Sequence, residues 1–117
     1  MSAHFRITSV DYAPDDLPAQ VPIEGTLLRR IPGPDRPDYW LAQLLEPVSW
    51  IDNGVGRSVT HLILAARYEG QTIREESEEL VVGIAYVVDS SLLEDMRIDF
   101  AKCRYVAIGE MDFVRGV

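Results

Sequence analysis

The segment LVVGIAYVV, residues 80–88, is apolar on both faces of an extended chain. Successive strand side chains point to opposite sides, so Leu80, Val82, Ile84, Tyr86 and Val88 share one face and Val81, Gly83, Ala85 and Val87 the other. One face is bulky, the other small. A strand of this kind is covered twice, by a core on one side and by a helix, a loop or a second subunit on the other. Gly83 and Ala85 leave room for the close approach of a backbone or a ligand.

The rest of the chain supplies partners for that strand. VTHLILAARY (59–68) is the other central strand, and HFRITSVDY (4–12) alternates, with Phe5, Ile7 and Ser9 on one face and Arg6, Thr8 and Val10 on the other. IEGTLLRRI (23–31) places Ile23, Gly25, Leu27 and Ile31 together, although Arg29 interrupts that face. YWLAQLLEPVSW (39–50) also satisfies a helical period, but Pro47 and the leading aromatic pair favour a strand that bends or ends near Glu46. RYVAIGEMDFV (104–114) reads as a last strand, with Val106 and Ile108 on one face and Tyr105, Ala107, Gly109, Met111 and Phe113 on the other. Between these lie turn signals rich in Pro, Gly, Asp and Asn: residues 12–22, 32–38, 52–56, 69–71 and 89–91. After the fifth strand, Ser90 or Ser91 is suited to cap a short helix near residues 90–97 whose buried stripe is Leu92, Leu93 and Met96. The expectation is a mainly β fold, about six antiparallel strands in a small barrel or two-layer sandwich with that one short helix, in a single domain over 1–117.

Charge placement narrows the function classes. Residues 69–99 hold nine acids against two bases, which is −7 of the net −8. Such a field repels phosphate backbones and anionic lipid and attracts basic partners, so nucleic-acid and membrane binding are not expected. No apolar run approaches the roughly 20 residues of a membrane-spanning helix, and the N-terminal stretch lacks the pattern of a secretory signal. A cytoplasmic setting is the expectation. One cysteine, Cys103, leaves neither an intrachain disulfide nor a multi-cysteine metal site.

Catalytic and cofactor chemistry finds little purchase. A nucleophilic cysteine needs a base or a positive field to lower its pKa. Cys103 lies between Lys102 and Arg104, and His61 is available, yet His61 sits inside an apolar run where a structural role is ordinary. Asp89, Glu94, Asp95 and Asp99 offer oxygens to a hard cation, but without the spacing and glycine of a calcium loop, and helix capping accounts for them more simply. Neither phosphate-loop pattern occurs, so no cofactor and no metal is expected.

Two features remain. Glu75, Glu76, Glu78 and Glu79 crowd the connection between the central strands, where their mutual repulsion keeps them in solvent or against a basic partner. Tyr39, Trp40 and Trp50, with Arg36, are residue types favoured at interaction hot spots and equally at the rim of a core. The leading expectation is a non-enzymatic interaction domain, of the kind seen in immunity-type inhibitors of basic proteins, binding through Glu75, Glu76, Glu78, Glu79, Asp95 and Trp40. A homodimer through the small face of the fifth strand would be compatible with it. The alternative is a small-molecule-binding barrel whose cavity uses Tyr86, Tyr105 and the small patches at 83–85 and 107–109; an enzyme using Cys103 and His61 comes third.

Overall fold

The structure, a computed structural model, describes residues 4–11, 17–52, 54–68, 71–73 and 79–114. Six strands, β1 (His4–Asp11), β2 (Ile23–Ile31), β3 (Tyr39–Asp52), β4 (Val55–Ala66), β5 (Leu80–Val87) and β6 (Cys103–Phe113), follow one another around a closed barrel. Every neighbouring pair is antiparallel, and β1 closes the ring against β6. The ambiguous segment 39–52 is a strand. The helix expected near 90–97 is instead a single 3-10 turn, Ser90–Leu93, followed by a second at Phe100–Lys102.

Inside the barrel, Phe5, Ile7, Leu27, Leu62, Leu64, Ile84 and Met111 interdigitate in one apolar cluster. Each fully buried aliphatic or aromatic side chain contributes roughly 1.5–3 kcal/mol relative to exposure. A second cluster lies outside the barrel wall. It joins Leu41, Ile63, Ala65 and Ala85, on the outer faces of β3, β4 and β5, to Leu92 and Ile98. The small face of β5 is therefore covered, and by the chain's own segment 88–102, which straps across three strands. The cover expected on this face is supplied, over Ala85, by the chain itself rather than by a second subunit.

Arg29 fastens the strap to β2. Its guanidinium donates to the carbonyls of Leu93 (2.6 Å) and Asp95 (2.7 Å), and Ile98 N donates to Pro32 O at 2.9 Å. Asp89 accepts from Ser91 N and Asp99 from Ala101 N, each at 2.9 Å, so aspartates rather than serines cap the two 3-10 turns. Because the first turn stops at Leu93, a helical stripe does not continue beyond it. Met96 is 79% exposed, and Ile98 takes the buried place that helical spacing assigned to Met96.

Register shifts set which side chains face in. On β1 the shift between Ile7 and Ser9 moves Val10 into the interior and Ser9 out, opposite to strict alternation. On β2 the shift between Leu27 and Arg29 turns Arg29 and Ile31 outward, where they meet the strap. The largest irregularity lies in β3, where Gln43 faces His61 and Val48 faces Val59, leaving residues 44–47 opposite Thr60 alone. Pro47, with no N–H to give a ladder, sits in that bend. Beyond it the β3–β4 hairpin curls back: Trp50 is 1% exposed and lies 5.0 Å, centroid to centroid, from Tyr86. Asp52 pairs with Val55, and Gly54 takes a positive φ of 77°, which a two-residue hairpin turn requires.

Gly25 marks the tightest approach in the wall. A Cβ there would lie 2.3 Å from Gln43 O and 2.9 Å from the Phe5 ring. Gly25→Ala must push β2 off β3, and overpacking of this kind costs about 1–3 kcal/mol. Urea denaturation should show a midpoint lowered accordingly with an unchanged slope; an unaltered midpoint would mean that the wall yields freely at this point.

Candidate functional site

Two groups of acidic residues on the described surface have different surroundings. Those of 89–99 are largely occupied. Asp89 and Asp99 serve as caps, the Asp89 carboxyl being held below its usual range by hydrogen bonds from Ser91, and Asp95 pairs with Lys102. Asp95 thus lies on the strap, within the local bonding that shapes it.

The second group lies on the outer face where β2, β1, β6 and β5 adjoin. Cross-strand pairing sets Glu24 beside Arg6 and Arg6 beside Asp112. Arg6 donates to both Asp112 oxygens, Nε to Oδ1 at 3.3 Å and Nη2 to Oδ2 at 3.2 Å, and this bonding raises its pKa further. Glu110 pairs with Val81 one step along, and Glu79 precedes Leu80 at the foot of β5. The Glu79 carboxyl is pushed up from its ordinary value, first by a hydrogen bond with Glu110, then by the charges of Glu110 and Asp112. Like charges set this close disfavour the ionised form of Glu79.

Clefts flank this band at both ends. One, of about 280 Å³, is walled by Asp11, Glu110, Arg67 and Tyr68 over a floor of Val81, Ile108 and Gly109. The other, of about 450 Å³, is lined by Gln20, Pro22, Ile23 and Glu24 on one side and Leu45, Glu46, Pro47 and Val48 on the other. The β3 bend opens that groove, leaving Leu45 58% exposed. The sequence pointed to Glu79 but not to Glu24, Glu110, Asp112 or Asp11. Those four stand singly in alternating strands, and only barrel closure brings them together.

Other residues singled out from the sequence fall elsewhere. Glu75, Glu76 and Glu78 lie outside the described residues. Trp40 is half-buried on the inner face, packed against the interior cluster, and Tyr39 and Trp50 are buried. Arg36 grips the buried Asp38 through both carboxylate oxygens and donates to Ala66 O at 2.9 Å, with its guanidinium 5.8 Å above the Tyr39 ring. This knot ties the 32–38 loop to the end of β4. The Arg36 bond holds the Asp38 carboxyl below its ordinary range, so its contribution to stability is present above pH ~4 and is lost as pH falls through the lower folded value. These aromatic residues and Arg36 are thus spent on packing rather than assembled into one exposed edge.

Cys103 is buried in the outer cluster beneath the strap. Burial, reinforced by Asp99, pushes its thiol pKa up, the reverse of what a nucleophile requires. His61 lies on β4 with its Nδ1 2.8 Å from Thr60 Oγ1, and burial lowers its pKa. The register sets Cys103 against Val87 of β5 and Gln43 against His61, so a strand's width of β5 separates the thiol from the imidazole. Among the described residues no cluster of His, Cys, Asp or Glu has the arrangement of a metal site, and no helix is long and apolar enough to cross a membrane. The small residues at 83–85 and 107–109 do not share a cavity: Ala85 faces out beneath the strap, while Ala107 and Gly109 face in, with Ser9 O only 2.6 Å from where a Gly109 Cβ would lie.

No family model, curated protein or solved structure matches the chain.

Two measurements follow from this geometry. Leu92→Ala removes a side chain that is 0% exposed and should cost about 2–5 kcal/mol; alkylation of Cys103 at neutral pH should be slow in the wild type and faster in the variant. Fast, stoichiometric alkylation of the wild type would contradict the inert thiol. In a carboxyl NMR titration Glu79 should ionise above the usual glutamate range and return toward it in Glu110→Gln. Since its folded pKa is raised, Glu79 favours the folded state below the unfolded value, and that contribution fades as pH rises through the folded one.

Proposed function

We propose that the protein is a non-enzymatic cytoplasmic interaction domain whose outer β2–β1–β6–β5 face receives a basic protein, in the manner of an immunity-type inhibitor. The observation that carries the reading is the convergence of Glu24, Glu79, Glu110 and Asp112 on one face, where Arg6 is committed to Asp112 and the neighbouring Glu110 pushes the Glu79 carboxyl up. Glu24 and Asp11 extend that potential into the two flanking clefts, where apolar floors suit the aliphatic stems of lysine or arginine. Glu75, Glu76 and Glu78, adjoining Glu79 in sequence, add charge of the same sign. Such a field steers a basic partner toward the face and speeds association more than it deepens affinity.

Ligand binding inside the barrel has less support. A closed barrel of eight strands is only just wide enough to be filled by side chains, and this one has six. Its described interior is occupied by Trp50, Tyr86, Phe5 and the aliphatic cluster.

The test is affinity capture from native lysate with wild type and a Glu24→Gln, Glu79→Gln, Glu110→Gln variant, at low and high salt. A basic protein held by the wild type at low salt, and released by salt or by the triple substitution, is the expected result. Equal retention by both proteins would remove the acidic face from consideration.

A further inference from the structure

Barrel closure leaves no free edge along the six paired strands, but the β3–β4 hairpin runs on past the closed part. β5 pairs with β4 only over Leu62–Ala66, so, among the described residues, positions 55–61 of β4 have β3 on one side and no strand on the other. Val55 is 54% exposed, and Gly56, Arg57, Ser58 and Thr60 are exposed with it. The hairpin's opposite edge is treated differently. There the Gln20 side-chain amide donates to Ser49 O at 2.7 Å and accepts from Ser49 N at 2.8 Å, taking up the edge as another strand would. Among the described residues, one edge is blocked and the other carries no partner strand.

We propose that the β4 edge at residues 55–60 is a dimerisation edge, pairing antiparallel with the same edge of a second copy. A bare strand edge is a template for another strand, and folds that avoid such pairing place lysine or proline there or keep the edge short. This edge has neither lysine nor proline, and Arg57 is its only charge. The absence of carboxylates matters in a chain of net charge −8, because two copies can meet here without acids facing acids. The acidic face belongs to β2, β1, β6 and β5, none of which pairs with residues 55–60 of β4 among the described residues.

The edge is also self-complementary. With a two-fold axis at Ser58, antiparallel pairing sets Arg57 across from Val59, Gly56 across from Thr60 and Val55 across from His61. No like charges stand opposite one another, as stable cross-strand pairing requires. Ile51, 42% exposed beside Gly56, and Val55 add apolar area at the rim. Six residues a side make a small contact, so the dimer is reversible and dependent on concentration.

Light scattering on the wild type, from low micromolar to submillimolar concentration, should show a monomer–dimer equilibrium. Ser58→Lys and Ser58→Glu each place like charges on the two-fold axis and should be monomeric throughout, while an equimolar mixture of the two should regain the dimer. A wild type that stays monomeric over the whole range, or a dimer indifferent to both substitutions, overturns the proposal. Should either variant lose the circular dichroism of the wild type, amide exchange of residues 55–60 in the wild type decides: it should slow as concentration rises, and invariance overturns the proposal.

Discussion

Closure of the first strand onto the last is the constraint on which the rest depends. β1 is short, eight residues with a bulge, yet it supplies Phe5 and Ile7 to the interior and completes the ring against β6. Without that seam the apolar interior would open along an edge more than 100 residues apart in sequence. The seam also creates the acidic face, since Arg6, Asp112 and Glu110 meet only across it. Fold and candidate site therefore rest on the same long-range pairing, whose loop-closure entropy must be met before its contacts can offset it.

How far the sequence disclosed this depends on which physical signal is followed. Alternation located all six strands, because a half-buried wall imposes a period of two wherever the ladder is regular. The two-faced apolar pattern of β5 correctly required cover on both sides. Where pattern reading went astray, the cause was local irregularity: the shifts after Ile7 and Leu27 exchange inner and outer positions, so Val10 turned inward and Ile31 outward. Neither position carries a glycine or proline to betray the extra residue. The strap failed as a helix for a related reason. Its aspartates cap turns too short to sustain a helical stripe, and Arg29, which appeared to spoil the face of β2, is the group that holds the strap down.

The acidic segment shows why sequence clustering is a weak guide to a site. Asp89, Asp95 and Asp99 are near one another in the chain, yet each is taken up by its own cap or lysine. Glu24, Glu79, Glu110 and Asp112 are scattered, and they share one surface. Net charge over a window counts both groups alike. What separates them is whether a local donor has already satisfied the carboxylate, and that depends on backbone geometry.

The β3–β4 hairpin shows the complementary case, in which the fold extends beyond what closure alone would stabilise. The bend at residues 44–47 lets the hairpin return Val48, Trp50 and Val59 to the interior cluster, so its length is justified by burial on one face. That gain has a cost in edges. Each residue added beyond the closed ladder exposes main-chain donors and acceptors on both sides, and Gln20 answers for only one of them. Trp50 also brings its indole Nε1 into the core without an acceptor among the described residues, a further charge against the extension. The hairpin is retained despite both deficits, and among the described residues none of the strands that carry the acidic band pairs with its β4 edge at 55–60. In a chain of net charge −8, a pairing edge without carboxylates sets no acid against acid.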